Sequence, residues 1–294
     1  MKRKTFIKTI LASVPATFVG MKLNALNKMT ESLDNTSKMP VLFLGHGSPM
    51  NAIEENEFVH GFRKVSTEIE TPKAILCISA HWETNGTSIT AMPNPKTIHD
   101  FGGFPRELYE VQYPAPGNPE LAKETKNLIK STEVHLDDKW GLDHGAWSVI
   151  RHMYPNADVP VIQLSLDYTK GPQHHYELAK ELYKLRQKGV LIVGSGNMVH
   201  NLGMVAWNKI NDDYAYNWAE EANSKMNQFI LDGNHQDLIN YSKHGKAFQL
   251  SIPTPEHYLP LLYALALQDK QDSVNLFNDQ ALGGSLSMTS VKIG

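Results

Sequence analysis

Cysteine is almost missing from this chain of 294 residues, in which Cys77 is the only one. A single cysteine excludes a disulfide framework and a cluster of thiolate metal ligands. Any metal ion that the folded chain holds must therefore be bound by nitrogen and oxygen atoms. The 13 histidines are consequently the residues of most interest for metal chemistry.

An excess of charge of one sign is also missing, because the formal net charge is −3 with histidine neutral. The part of the sequence expected to fold has no block of lysine and arginine, so we predict no nucleic-acid-binding surface. Uninterrupted apolar runs of about 20 residues are missing too, and we predict no membrane span. The hydrophobic content of 41% and charged content of 20% are ordinary for a globular protein.

The first 35 residues differ in composition from the rest. Lys2-Arg3-Lys4 precedes a moderately apolar stretch, and no acidic residue occurs before Glu31. This order is typical of a signal peptide, and it resembles a twin-arginine export signal in which Lys4 replaces the second arginine. We predict a signal-like leader or a disordered tail over residues 1–35. A functioning signal would export the protein to the periplasm, and without it the protein would stay in the cytoplasm.

The remaining residues alternate between short apolar runs and amphipathic helical patterns. The predicted strands are 41–44, 74–78, 159–166 and 190–193. The predicted helices are 118–130, 173–188, 217–232, and one that Thr254-Pro255-Glu256 opens and that runs through Leu265. Continuous apolar runs are typical of strands that are covered on both faces. We therefore predict one domain over residues 36–294, an α/β sandwich with a central, largely parallel sheet and helices on both faces.

Histidines follow three of the predicted strands. His46, His81 and His200 each lie within seven residues of the end of a strand. In open α/β sheets, ligands bind in the crevice at the carboxyl ends of the strands. If the strands are parallel neighbours, the three imidazoles converge there.

Other histidines are weaker candidates. His257 lies in the predicted first turn of the last helix, and His144 lies in a turn-like Asp143-His144-Gly145 segment. His99 belongs to the irregular segment 92–117, which we predict to be a lid or substrate wall. The remaining histidines are interpreted as solvated: His60, His135, His152, His174, His175, His235 and His244.

A cluster of neutral imidazoles suits Zn²⁺, Fe²⁺, Cu²⁺ or Ni²⁺. Histidines at the end of a sheet, without the spacing of a zinc finger, predict a site with a coordination position open to substrate. Neutral ligands leave the ion its full charge, which favours a deprotonated catechol or a hydrolytic water. The residue types alone leave an oxygenase and a hydrolase both open.

Seven motifs occur in order between residues 39 and 294. They are GHGSPM at 45–50, SAHW at 79–82, TIHDFGGFP at 97–105, YPAPG at 113–117, DHG at 143–145, GSGN at 194–197 with HN at 200–201, and TPEHY at 254–258. Together they resemble the class III extradiol ring-cleavage dioxygenases of the protocatechuate 4,5-dioxygenase catalytic-subunit type. Within that family the chain is most similar to the DOPA 4,5-dioxygenase branch.

The resemblance implies one divalent metal ion, with Fe²⁺ expected for ring cleavage and Zn²⁺ as the alternative. It implies the metal ligands His46, His81 and His257, with Glu256 as an alternative to His257. It gives His200 the role of acid and base or of a further ligand, and it places His144 beside the substrate.

The activity that the resemblance implies is insertion of O₂ into a catechol, a small DOPA-like phenol, to give a muconic semialdehyde. Trp82, Phe101, Phe104 and Tyr258 are either the aromatic walls of the pocket or core residues. A zinc-dependent hydrolase and a non-catalytic peptide-binding relative on the same scaffold are the alternatives.

Overall fold

The protein is described by a computed structural model that covers residues 37–210 and 212–294. The predicted leader over residues 1–35 lies outside the described residues. None of the described helices is long and apolar enough to cross a membrane.

The described strands and helices alternate along most of the chain. The strands are β1 Val41–Gly45, β2 Ala74–Ser79, β3 Glu83–Thr84, β4 Thr87–Thr90, β5 Val134–Asp137, β6 Val161–Gln163, β7 Leu166–Asp167, β8 Val190–Gly196, β9 Val274–Phe277, β10 Ala281–Leu282, β11 Leu286–Ser287 and β12 Ser290–Ile293. The α-helices are α1 Glu57–Thr67, α2 Arg106–Tyr109, α3 Pro119–Leu128, α4 His144–Met153, α5 Pro172–Lys180, α6 Tyr183–Gln187, α7 Asn217–Leu231, α8 His235–Ile239, α9 Lys246–Ser251 and α10 Leu259–Ala266.

Six of the described strands form the central sheet, in the order β6-β2-β8-β1-β12-β9. The pairs β6–β2, β2–β8 and β8–β1 are parallel, whereas β12 pairs antiparallel with both β1 and β9. The predicted largely parallel sheet is therefore confirmed. The antiparallel strands β9 and β12, which the sequence analysis missed, complete one edge.

Both faces of this sheet are buried. In β1, Val41 and Phe43 pack into one apolar core, whereas Leu42 and Leu44 pack into the other. The first core lies beneath α3, α5, α7 and α10, and the second lies beneath α1 and α4. Since successive side chains of a strand point to opposite faces, the continuous apolar runs supply both cores at once. The predicted α/β sandwich with helices on both faces is confirmed.

The predicted strand over residues 159–166 is two strands, because the chain changes its pairing partner. β6 pairs with β2, whereas β7 pairs with β3. The predicted helix over residues 173–188 is likewise two helices, α5 and α6. Hydrogen bonds of the tighter i to i−3 type join them, such as Glu181 N to Leu178 O at 3.0 Å. Gly189, with φ of 80°, follows α6 at the predicted end.

The predicted helix at Thr254 begins five residues late, at Leu259. Pro260 has no N–H to donate to a preceding carbonyl. The carbonyl of His257 instead accepts a hydrogen bond of 2.9 Å from Asn197 N, directly after β8. His257 therefore lies in a turn that is fastened to the end of the sheet, not in the first turn of a helix.

The interpretation of seven histidines as solvated is wrong for His175, which is fully buried. Its Nδ1 is 3.0 Å from the hydroxyl of Tyr263, so it joins α5 to α10. Of the other six, His60 and His135 are exposed, and His152, His174, His235 and His244 are partly buried. A polar residue enters a core when it finds a hydrogen-bonding partner there, and the partner of His175 is 88 residues away along the chain.

Candidate active site

The carboxyl ends of the parallel strands bring the candidate histidines together. His46 follows β1, and its backbone N–H donates to Gly196 O, at the end of β8, over 3.0 Å. His81 follows β2, whose last residue, Ser79, is in register with Ser195 of β8. The predicted convergence is therefore found at the predicted edge of the sheet.

His46, His81 and His257 form a compact group, which we call the imidazole triad. One ring nitrogen from each lies within 4.8 Å of the others. The ring centroids are 5.0 Å apart for His46 and His81, 5.3 Å for His46 and His257, and 5.0 Å for His81 and His257. His257 reaches this position because Gly196 lets the turn approach closely. A Cβ at Gly196 would lie 2.1 Å from His257 O.

Each ring has a polar partner on the side of its Nδ1 atom. Ser195 Oγ donates to Gly145 O over 2.5 Å, so it must accept from His46 Nδ1 at 3.1 Å. A carboxylate oxygen faces the Nδ1 of each remaining member, Asp100 at 3.4 Å from His81 and Glu256 at 3.0 Å from His257. His46 and His257 therefore hold a proton on Nδ1 and present the lone pair of Nε2.

The triad is neutral near pH 7. Burial, followed by the neighbouring imidazoles, lowers the pKa of His46 and of His257 well below the usual value. Burial and then His144 lower the pKa of His81 to about 3. Neutral imidazole is the form that binds a metal ion.

The residues present fit a divalent metal ion. His46 Nε2 and His81 Nε2 face each other at 3.2 Å. When both rings carry their proton on Nδ1, the two Nε2 lone pairs repel at this distance unless a cation lies between or beside them. Three Nε2 atoms, each with its Nδ1 held by an outer partner, are the usual arrangement of histidine ligands in a metal site.

His144 and His200 flank the triad on opposite sides. The ring centroid of His144 is 3.9 Å from that of His81, and its Nδ1 is 2.9 Å from Asp100 Oδ2. The ring of His200 stacks on His257 with a centroid distance of 3.5 Å and an angle of 9°. Burial lowers the pKa of His200 to about 4.

Asp100 joins the irregular segment 92–117 to the site. Its Oδ1 accepts from His144 N over 2.9 Å, and its Oδ2 faces both His144 Nδ1 and His81 Nδ1. Burial opposes the ionisation of Asp100, yet the hydrogen bonds from His144 lower its pKa. Sequence reasoning missed Asp100 and Ser195, although each stands inside a quoted motif.

A second carboxylate supports the start of α4. Asp143 caps this helix by accepting from Ala146 N, and it accepts from Ser79 Oγ at 2.6 Å and Gln163 Nε2 at 2.7 Å. Burial raises the pKa of Asp143, an effect that the last two hydrogen bonds oppose. The cap fixes His144, the first residue of the helix, relative to β2 and β6.

A pocket of about 400 Å³ opens over the imidazoles. It is lined by His46, Gly47, Ser48, Pro49, His81, Phe101, Gly102, Phe104, His144, His200, Leu202, Trp207, Ile210, His257 and Leu286. The segment 92–117 supplies Phe101 and Phe104 to this lining, and its role as a lid or substrate wall stays a prediction. His200 and His144 both line the pocket.

Three residues for which the sequence analysis left a pocket position open do not line the pocket. Trp82 is buried and stacks on Trp140 with a centroid distance of 5.7 Å. Tyr258 is buried and donates from its hydroxyl to Leu238 O, so both aromatic residues belong to the core. His99 Nε2 is 2.9 Å from Val111 O, and His99 does not line the pocket.

Comparison with known proteins decides the family. Residues 36–285 match the model of the catalytic LigB subunit of aromatic ring-opening dioxygenase. The chain belongs to this family. Its members depend on a metal ion, and they open aromatic rings with incorporation of O₂. The extradiol dioxygenase resemblance, including the DOPA branch, is confirmed.

Similar proteins cover most of the chain. A 4,5-DOPA dioxygenase extradiol of Escherichia coli K12 is 46% identical over 264 residues, which are 88% of this chain and 96% of that protein. One from Beta vulgaris is 37% identical over 257 residues, which are 85% and 94%. The crystal structure of an uncharacterized protein from Escherichia coli K12 is 41% identical, with a TM-score of 0.74, over 87% of this chain and all of that one.

Proposed function

We propose that this LigB-family chain is an extradiol dioxygenase that opens a catechol ring beside its two hydroxyls. The substrates are the catechol and O₂, and the product is a muconic semialdehyde. The observation that carries the proposal is the imidazole triad, whose ring nitrogens lie within 4.8 Å of one another at the floor of an aromatic-walled pocket. The names of the relatives support a DOPA-like catechol as the first substrate to assay.

The imidazole triad would hold the metal ion through its three Nε2 atoms. Bound Fe²⁺ supplies the one-electron chemistry that lets O₂ react with a catechol, whereas Zn²⁺ has no accessible redox change. We therefore propose Fe²⁺ as the metal of the active enzyme. Three protein ligands leave positions for further ligands, which a bidentate substrate requires.

The side chains of the pocket orient the ring and exclude water. Phe101 and Phe104 contact each other edge to face at 5.4 Å, and Phe101 also contacts His144 at 5.5 Å. An aromatic ring that packs between such side chains is held through its faces and edges. Holding the diol above the triad replaces a bimolecular encounter with a fixed geometry.

His200 and His144 are the proposed proton carriers. His200 groups with Glu256 and His257 as a possible ligand set, but not with His46 and His81, which favours a role as base rather than as fourth ligand. His144 keeps its Nδ1 proton on Asp100, so its Nε2 can accept a hydroxyl proton. A positioned imidazole that accepts and returns a proton accelerates a reaction by about 10²- to 10⁴-fold.

The test is oxygen uptake by the anaerobically purified, Fe²⁺-loaded protein after addition of L-DOPA or a simple catechol. We expect one O₂ consumed per catechol and the appearance of a yellow semialdehyde. The Zn²⁺-loaded protein is the matched control, and it should consume no O₂. Absence of uptake with every catechol would remove the proposal, and cleavage of an ester by the Zn²⁺ form would favour a hydrolase instead.

We also propose that residues 1–35 direct export of the protein to the periplasm. The basic start Lys2-Arg3-Lys4 and the absence of acidic residues before Glu31 support this proposal. The test fuses these residues to a reporter that matures in the cytoplasm and stays active in the periplasm only if it is exported in folded form. Retention of the reporter in the cytoplasm would contradict export.

A further inference from the structure

Trp207 is the least covered of the five tryptophans of the chain. It is 69% exposed, whereas Trp82 and Trp147 are buried and Trp140 and Trp218 are partly buried. It nevertheless lines the pocket above the imidazole triad. A large aromatic side chain gains free energy when another surface covers it. A tryptophan left open at the mouth of a pocket therefore indicates a partner that enters the pocket.

The backbone holds Trp207 at this mouth. Trp207 begins a short 3₁₀ helix, and Ala206 N, directly before it, donates to Gly283 O over 2.7 Å. The side chains of Val205 and Ile210 lie over Gly283, where an added Cβ would be 3.0 Å from an atom of each. The residues on both sides of Trp207 are therefore anchored to the segment that precedes β11, while the indole itself is left uncovered.

The aromatic rings that the segment 92–117 contributes already have ring partners. Phe101 contacts Phe104 at 5.4 Å, Tyr109 at 5.1 Å and His144 at 5.5 Å. Trp207 makes no ring contact with a described residue, and its indole N–H has no hydrogen-bonding partner among them. The indole is therefore the aromatic surface of the pocket that is free to contact an incoming ring.

We propose that Trp207 is a substrate-binding residue whose indole packs against the ring of the bound catechol and closes the pocket to water. This inference rests on the proposed function, since the catechol is the substrate proposed above. With the diol held at the triad on the pocket floor, the remainder of the ring is directed to the mouth, where Trp207 lies. Contact between two aromatic rings adds to the gain from the buried area. Because all catechols share the ring, the contact is expected to be independent of the ring substituent.

Calorimetric titration of the Zn²⁺-loaded full-length protein with catechol and with L-DOPA tests the contact, since this form is expected to bind the diol without turnover. Trp207→Ala should raise Kd about 10-fold for both compounds, the usual effect of losing one aromatic contact and its buried area. Trp207→Phe keeps a ring and should stay within about threefold of the unaltered protein. Zn²⁺ content should be unchanged in both variants, because Trp207 lies outside the triad.

Tyr168→Ala is the matched control, because Tyr168 is 60% exposed and does not line the pocket. It should leave both Kd values unchanged. The kcat/KM of the Fe²⁺-loaded proteins provides a second measurement and should fall about 10-fold in Trp207→Ala, with Trp207→Phe between it and the unaltered protein.

Unchanged Kd and kcat/KM in Trp207→Ala would overturn the inference. A loss confined to L-DOPA would also overturn it, since Trp207 would then contact the substituent and not the ring. Equal losses in Trp207→Phe and Trp207→Ala, or in the control, would show that no ring contact is involved. Each of these results leaves the proposed function intact while the unaltered protein consumes O₂. Absence of both catechol binding and O₂ uptake in the unaltered protein would remove the proposed function and the inference together.

Discussion

The three members of the imidazole triad have different outer partners. His46 has a hydroxyl, Ser195, whereas His81 and His257 have the carboxylates of Asp100 and Glu256. Outer partners fix the tautomer and orientation of a histidine ligand and raise its basicity. The triad and its outer partners therefore act as one unit, with His144 and His200 beside it.

Asp100→Asn is expected to lower metal affinity or turnover by about 10- to 100-fold, the usual effect of removing an outer carboxylate. Asn keeps an oxygen for His144 N but removes the negative charge that faces His144 Nδ1 and His81 Nδ1. Metal content and kcat measured on the same preparation check this. Full metal content with unchanged kcat would show that Asp100 is not needed to orient the two imidazoles.

His200→Asn separates the role of proton carrier from that of ligand. If His200 acts as a base, its replacement is expected to lower kcat by about 10²- to 10⁴-fold while the metal content is retained. Loss of the metal along with activity would make His200 a fourth ligand. His257→Ala serves as the comparison, since it removes a member of the triad and should lower metal content.

Sequence reasoning recovers the residue types of this site better than their connections. A histidine that follows a buried strand, as His46 and His81 do, can be recognised because strand ends mark the ligand crevice. Asp100 is less visible, because an acidic residue in a loop is ordinary and its contact with His144 spans 44 residues. Trp82 follows His81 directly and therefore resembles a pocket residue in the sequence. Neighbouring side chains point in different directions, however, and the side chain of Trp82 is buried in the core.

At the scale of elements, the end of β8 is the point where the site is assembled. Gly194, Ser195 and Gly196 pair with Phe43, Leu44 and Gly45 of β1, and Gly196 leaves room for the His257 turn. The turn is attached by the hydrogen bond from Asn197 N to His257 O. The triad thus depends on a backbone approach that only glycine permits.

Gly196→Ala is expected to destabilise the protein by at least about 2 kcal/mol and to reduce metal content, because a Cβ there meets the backbone of His257. Gly203→Ala is the control, since its Cβ would meet nothing closer than Asn201 Oδ1 at 3.4 Å. Chemical denaturation and metal analysis of both variants check this. Native stability and metal content in Gly196→Ala would show that the turn can move away without loss.

The elements that sequence patterns predict are those with strong local signals. The run 190–193 is apolar and continuous, and Asn118 caps α3 as its side chain type indicates, accepting from Leu121 N over 2.9 Å. β12 has no such signal, because its pairing partner β1 is about 250 residues earlier in the chain. The start of α10 is misplaced for the same reason, since the tertiary hydrogen bond to His257 O overrides a local proline and acidic pattern.

At the scale of the whole molecule, buried polar residues tie the layers of the sandwich together. Arg186 is fully buried and donates to Met39 O, Leu267 O and both oxygens of Asp272. It thereby links the beginning of β1, the end of α10 and the segment before β9. His175 performs a similar role between α5 and α10.

Acid is expected to weaken the fold through His175. Burial, and then His174, lower the pKa of His175 from 6.5 to about 4. Between these two pH values His175 binds a proton in the unfolded chain but not in the folded chain. Its contribution to stability is complete above pH 6.5 and is lost as the pH falls to about 4, by up to about 3 kcal/mol. The free energy of unfolding measured against pH shows the slope.

His175→Gln keeps a hydrogen-bonding group for Tyr263 and removes the titration. Its slope between pH 6.5 and 4 should be shallower than that of the unaltered protein by the equivalent of one proton. His135→Gln is the control, because His135 is exposed and its replacement should leave the slope unchanged. Equal slopes for His175→Gln and the unaltered protein would contradict the role of His175.

Anomalous diffraction at the iron edge, from crystals of the Fe²⁺-loaded protein grown without oxygen, tests the metal site most directly. The described residues offer three groups that could hold an ion: His46 with His81 and His257, His81 with Asp100 and His144, and His200 with Glu256 and His257. We predict one anomalous peak, within bonding distance of the Nε2 atoms of His46, His81 and His257. A peak at either of the other groups, or none at all, would contradict the imidazole triad as the metal centre.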